Sequence, residues 1–426
     1  MNAFDTASVL IAVAALSGYL NHRFLKLPAT TGTLAVALAS SLVLVAIDAL
    51  VPAWGLRVTV AAFLGEIDFN EALMHGMLCF LLFAGSLHID LENLLENKWT
   101  IGTLATVGVL ISTAVVGALT FLLFRLIGVD IPFVVCLVFG ALISPTDPIA
   151  VMGLLKELKA PRRLEAQIAG ESLFNDGVAV VVFFGLVSAA GLSGAHEVDT
   201  IALSAIGLTE FFLREVLGGA ALGLGLGYVG YHALKSLDDH SLELLITLAL
   251  VMFMYSLSFW IHVSGPIAVV LAGLLIGNPG RRFAMSDRTR EHVDAFWQML
   301  DEILNAVLFL LLGIEVFAVP AGPTALVAGL LAVPVALVAR LVSVTLPITA
   351  MSLRGRYRRG LVPVLTWSGL RGGISVAMVL SLPPFPARDY LLASTYAVVV
   401  FSILVQGLTV RRVLVHYGVG EAADVA

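Results

Sequence analysis

Ser144-Pro145-Thr146-Asp147-Pro148 lies inside an apolar run, near residues 131–155, long enough to cross a bilayer. A proline lacks the backbone donor and its ring clashes with the preceding turn, so two prolines three apart cannot sit in an intact helix. The helix must break midway. Gly369-Leu370-Arg371-Gly372-Gly373 is a second such place, three glycines in five residues inside the run 358–382. Non-helical backbone at membrane depth survives only where it is buried in protein or lines a water-filled cavity. Whatever surrounds these two interruptions is built to hold them.

The rest of the chain is of the same kind. Of 426 residues, 59% are hydrophobic and 13% charged, against about 25% charged in soluble domains. The deficit extends along the whole length, which excludes a soluble domain on a single anchor. At ~20 residues per crossing the sequence predicts about thirteen spans. They lie near 5–21, 29–50, 71–89, 100–126, 131–155, 163–190, 206–233, 241–260, 263–277, 293–318, 321–352, 358–382 and 389–415. The first twenty residues hold no Lys or Arg, which suits a first span better than a signal peptide. Residues 51–70 read as a loop with a short interfacial helix, and the tail after Tyr417 is a stub. No loop is long enough for a folded aqueous domain.

Basic residues support this count. Eighteen of the 24 Lys and Arg fall in loops on one side, among them Lys156, Lys159, Arg162 and Arg163, then Arg281 and Arg282, then Arg354, Arg356, Arg358 and Arg359. Arg57, Arg125 and Arg388 fall on the other, and Arg214, Arg340 and Arg371 lie within spans or at their edges. The positive-inside rule then places the C-terminus in the cytoplasm and the N-terminus outside. If span 7 is a linker, spans 1–6 and 8–13 form two halves that enter the membrane from opposite sides. The broken spans, 5 and 12, occupy the fifth place in each. Such paired interruptions are the best sequence pointer to a transport site. The expected fold is an all-α polytopic membrane protein of about 13 transmembrane helices, two inverted six-helix repeats with crossed broken helices.

Span 6 carries Gly170-Glu171-Ser172-Leu173-Phe174-Asn175-Asp176-Gly177. A carboxylate at a helix centre in the bilayer costs ~2.5–3.5 kcal/mol on insertion scales, so it is kept only if paired or at work. Ser172 and Asp176, four apart, share one helix face. Together they offer hard oxygens that suit a small alkali cation or a proton. The plainer alternative is a buried pair between Asp176 and Arg371. Glu171 points elsewhere, with Asn175, and is the natural partner for Arg371, whose guanidinium stays charged. Asp147 suits two roles: capping the half-helix that follows Pro148, and facing an ion at mid-membrane. The break also frees carbonyls, that of Thr146 included.

Other polar residues read more simply. Asp301 and Glu302 in span 10 suit a solvated or Asn305-bonded role near a cytoplasmic vestibule. Arg340 has no partner that the sequence names. His22, His88 and His262 sit near span ends, where interfacial placement is the default. Gly219, Gly223 and Gly227 make a stripe for close helix packing on span 7. Cys79 and Cys136 lie in apolar runs without metal or redox spacing, as small buried hydrophobes.

These motifs, their order and their spacing over essentially the whole chain resemble the monovalent cation:proton antiporter-1 family, the NhaP/NHE-type sodium–proton exchangers. The resemblance implies that Asp176 binds cation and proton alternately. Asp147, Ser172 and the Thr146 backbone oxygen would complete the Na+ shell, supported by Asn175 and a Glu171–Arg371 ion pair. It implies a homodimer within one transmembrane unit, 1–426: a dimerisation domain of 1–98 and 241–318, a core of 99–190 and 319–417, and a linker helix in 191–240. Asn175, where some members have a second Asp, goes with electroneutral exchange. One departure is Ala84, in Phe83-Ala84-Gly85-Ser86, where prokaryotic relatives often carry an acid.

The expected activity is exchange of cytoplasmic Na+ or Li+ for external H+ across a bacterial inner membrane. K+/H+ exchange is the nearest alternative. A carrier of organic anions is disfavoured by the acidic groups, and a passive channel does not need a titratable carboxylate. An intramembrane serine protease is disfavoured because Gly373-Ile374-Ser375-Val376-Ala377 does not fit a Gly-x-Ser-x-Gly nucleophile site and no histidine lies at mid-depth. No enzyme activity, cofactor or nucleic-acid partner is expected.

Overall fold

Half-helix 5a (Phe133–Ile143) and half-helix 5b (Ile149–Glu157) flank the Pro145/Pro148 interruption, and 12a (Leu361–Ser368) and 12b (Gly373–Leu380) flank the glycine-rich one. The computed structural model describes residues 3–51, 71–192, 205–280, 285–316, 322–352 and 360–419. The expected loop over 51–70 falls, but for its first residue, outside the described residues. So do Arg57, the arginines at 281, 282, 354, 356, 358 and 359, and the tail from 420.

Among the described residues the helical segments group into thirteen spans and form no strand. Span 1 is Ala3–Leu20, prolonged by a π turn at Asn21–Leu25, and span 2 is Ala29–Leu50. Span 3 runs from the π turn Ala72–Met77 through Leu78–Leu87. Span 4 ends in Val109–Leu126, span 6 is Arg162–Ala189, span 7 Ala205–Lys235 and span 8 His240–Trp260. Span 9 begins with Gly265–Leu275, span 10 is Asp287–Glu315 and span 11 Pro323–Ser352. Span 13 is Arg388–Phe401 and Gly407–His416, joined by a π turn at Ser402–Gln406. Nine of these helices are long and apolar enough to cross a membrane whole, among the described residues. The broken and short ones complete the set.

Spans 4, 5 and 6 pack with spans 11, 12 and 13; spans 1, 2, 3 and 8 pack around span 10, and span 9 packs on spans 3, 7 and 8. Span 10 is fixed by Trp297. Its ring lies 4.6 Å from that of Phe83, and its Nε1 donates to Thr247 of span 8 at 3.1 Å. The glycine stripe of span 7 meets span 9: a Cβ on Gly219 would lie 2.5 Å from the Ser264 carbonyl oxygen, and one on Gly227 3.0 Å from the Ala272 Cα. Close backbone approach of this kind is what small residues permit. Leu126, Trp260 and Leu330 are highly exposed on the outer surface, as expected of side chains that face lipid.

Candidate functional site

The two breaks touch. The Asp147 amide donates to the Leu370 carbonyl at 2.8 Å, an isolated antiparallel bridge between the interrupted segments. Glycine allows the approach: a Cβ on Gly372 would lie 2.7 Å from the Cβ of Asp147, and one on Gly373 2.6 Å from the Leu308 side chain.

Each break frees backbone groups, and buried ones must find partners. Pro148 has no N–H to give its i−4 acceptor, the Ser144 carbonyl. The Ile149 amide turns from the Pro145 carbonyl to Asp147 Oδ1, at 2.9 Å. Arg371 fills both places: its Nη1 donates to the Ser144 carbonyl, and to that of Pro145 at 2.9 Å. In span 12 the Arg371 amide donates to Ser402 Oγ at 2.8 Å instead of to Trp367. The Trp367 carbonyl accepts from Gln406 Nε2 at 3.4 Å, and Ser402 Oγ donates to Gln406 Oε1 at 2.7 Å. The Leu365 carbonyl, which would have served Gly369, accepts from Arg340 Nη2 at 2.9 Å.

Glu171 is 2% exposed, and the expected Glu171–Arg371 pair is not the one that forms. Its Oε1 accepts from Arg340 Nη1 and its Oε2 from Arg340 Nη2, the latter at 3.1 Å. The physical reason is the proline break. Arg371 is drawn to carbonyls that have lost their donors, and Arg340, buried on span 11, needs the carboxylate. Gly369 makes room, since a Cβ there would lie 2.8 Å from Arg340 Cζ. All three charged groups still share one electrostatic neighbourhood.

The residues expected to ligate come together from spans 5 and 6. Asn175 Nδ2 donates to Thr146 Oγ1 at 2.8 Å, and Asn175 Oδ1 accepts from the Thr146 amide at 3.3 Å. Thr146 Oγ1 and Ser172 Oγ are 2.9 Å apart. Asp176 is 7% exposed, and among the described residues it makes no hydrogen bond or ion pair with any side chain, Arg371 included. Asp147 lies near enough for its charge to act on Asp176. Among the described residues the Thr146 carbonyl accepts no hydrogen bond. Asp147 Oδ1 accepts from the amide of Ile149, the first residue of half-helix 5b, and the residue lines the same cavity as Asp176.

That cavity measures about 530 Å³ and reaches from Asp176, Asp147 and Thr146 past Asp301 to Lys156 and Arg162. It thus opens toward the loops rich in Lys and Arg. The short loops at the opposite ends of spans 5 and 12, 127–132 and 381–387, do not line it. Asp301 and Glu302 stand on its wall as expected of a vestibule, and so does Ala84.

Reading the sequence alone misses Ser402 and Gln406, and leaves Arg340 without a partner. The signal for the first two was present: a polar pair four apart in span 13, at a depth where span 12 must shed backbone bonds.

A family model described as "Sodium/hydrogen exchanger, transmembrane" matches residues 11–416. The Na(+)/H(+) antiporter NhaP of Pseudomonas aeruginosa is 46% identical, over 99% of this chain and 98% of that protein. The Na(+)/H(+) antiporter NhaH of Halobacillus dabanensis is 34% identical, over 82% of this chain and 84% of that one. Among solved structures, the sodium proton antiporter MjNhaP1 from Methanocaldococcus jannaschii superposes with a TM-score of 0.73, covering 96% of this chain and 97% of that one. At 16% identity that likeness is one of fold.

Proposed function

We propose that this chain, which belongs to the sodium/hydrogen exchanger family, is a secondary antiporter in which Asp176 carries Na+ and H+ in turn. One observation supports this above the others. Asp176 is a buried carboxylate without a hydrogen-bond or ion-pair partner among the described residues, beside two bridged helix breaks, at the end of a cavity open to one face. A charge so placed is costly unless a counter-ion or a proton neutralises it.

In this reading Na+ sits between Asp176, Asp147, Ser172 Oγ and the Thr146 carbonyl. Asn175 holds Thr146 in place, while Glu171 and Arg371 hold the breaks. One carboxylate exchanges one proton for one cation, so the cycle is electroneutral, with Asn175 in place of a second acid. External H+ enters down its gradient and drives cytoplasmic Na+ or Li+ out. The basic loops mark the cytoplasmic face of a bacterial inner membrane, the N-terminus lies outside, and the cavity faces inward. Alternating access comes from movement of 99–190 and 319–417 against 1–98 and 241–318, with 191–240 as the linking helix and the second set as the dimer contact of a homodimer.

Exchange in proteoliposomes under an imposed pH gradient, with Na+, Li+ and K+ compared side by side, tests the reading. Wild-type protein exchanges Na+ and Li+, and Asp176→Asn does not. Wild-type rates in Asp176→Asn would overturn the assignment. Preference for K+ would replace Na+ by K+ at the same residues, and current without counter-transport would mean a channel.

A further inference from the structure

Span 10 places a second set of oxygens in the cavity, short of the Asp176 site. Asp301 and Asn305, one turn apart, share a helix face and lie within reach of each other. Both line the cavity. Asn305 is 2% exposed, and neither its Oδ1 nor its Nδ2 makes a hydrogen bond of ordinary geometry. Ser375, on half-helix 12b, lines the same cavity, is 1% exposed, and its Oγ has no partner. Buried amides and hydroxyls are normally satisfied. Two such residues on the wall of one cavity, the amide within reach of a carboxylate, call for a ligand. Lys156 and Arg162, the Lys and Arg on the cavity wall, make no ion pair with Asp301 among the described residues. The facing wall brings Ala84 and Gly85, whose side chains ligate nothing.

We propose that Asp301, Asn305 Oδ1 and Ser375 Oγ form a loading site for a partly hydrated alkali cation on its way to Asp176. The proposal rests on the antiporter reading and deepens it. The donor set is one carboxylate with neutral oxygens, which suits a monovalent cation. Calcium asks for six to eight oxygens, several of them charged, and among the described residues no cluster of three acids, histidines or cysteines can hold a metal. Asp301 also lies near enough to Asp147 for the two charges to interact. A cation at Asp301 therefore lowers the repulsion among the acids and is handed inward as Asp176 loses its proton. Asp301 and Asn305 stand on span 10, which belongs to neither broken helix, and on this proposal the site acts from the cavity side.

The test uses the full-length protein in oriented proteoliposomes. Asp301→Asn raises the KM for Na+ offered from the cavity face about fivefold, the worth of one charge at ~4 Å in water, with kcat and the opposite-face KM unchanged. Asp301→Glu restores the wild-type KM. Equilibrium binding of Na+ and Li+ separates this proposal from the parent reading. Asp176→Asn retains one weak site, and adding Asp301→Asn removes it. An unchanged cavity-side KM in Asp301→Asn, an equal rise on both faces, or identical residual binding in the single and double variants would overturn the loading site. Each leaves the antiporter reading standing, since that fails only if wild-type exchange is absent or Asp176→Asn exchanges normally.

Discussion

Arg340 reaches from span 11 to grip both carboxylate oxygens of Glu171 on span 6, and with the same guanidinium caps the Leu365 carbonyl beside the break in span 12. Both charges are buried, so removing one strands the other. Stranding a buried charge typically costs about 3–5 kcal/mol. Arg340→Gln should therefore lower the thermal unfolding midpoint in detergent sharply. In double-mutant cycles, Glu171 should couple to Arg340 far more strongly than to Arg371, whose Nη1 binds the Ser144 and Pro145 carbonyls. Equal couplings would contradict the pairing.

Gly372 leaves room for Asp147, and a methyl group there would lie 2.5 Å from Asp147 Oδ2. Gly372→Ala should displace the carboxylate and lower the exchange rate about tenfold or more, ~1.4 kcal/mol in barrier. Gly225→Ala, with no atom within 4 Å of the added methyl, should exchange Na+ at the wild-type rate. Transport assays on the two variants, matched for protein incorporated, make the comparison.

Ser402 satisfies the amide that span 12 gives up at Arg371. Ser402→Ala leaves that N–H buried and unpaired, a loss of about 1–3 kcal/mol. Ser40→Ala removes only an exposed hydroxyl bonded within its own helix, to the Val36 carbonyl, and should change stability by less than about 0.5 kcal/mol. Denaturant titrations in the same detergent would rank the two.

The proposed competition of Na+ and H+ for Asp176 predicts a pH dependence with a definite sign. While the residue is protonated, each Na+ bound displaces one H+. The apparent KM for Na+ then falls about tenfold per unit rise in pH, and levels off once Asp176 is already ionised. A KM that is flat across the acid range, measured by Na+ uptake at several pH values, would exclude shared occupancy.

Much of this is legible in the sequence. Prolines and glycines announce their breaks because backbone chemistry is local, and apolar length gives the spans almost directly. Ser172 and Asp176 were legible as a pair because helical spacing is fixed, whereas the support Asn175 gives the site entered only through the family resemblance. Pairing across spans was not legible. Whether Glu171 meets Arg340 or Arg371 depends on how far each helix is rotated and how deep it sits, and neither quantity is written in one segment. The roles of Ser402 and Gln406 were hidden for the same reason: they answer a deficit that arises in another span.

The bonds that hold the two interruptions have one address in common. Arg371, Leu370, Ser402, Gln406, Arg340, Glu171 and Asn175 belong to spans 6, 11, 12 and 13, and none of these ties runs to spans 1–3 or 7–10. In the proposed cycle, movement of spans 4–6 and 11–13 as a block past their neighbours would break none of these bonds. The proposed seat of the ion would then travel intact, and only the walls on either side of it would change.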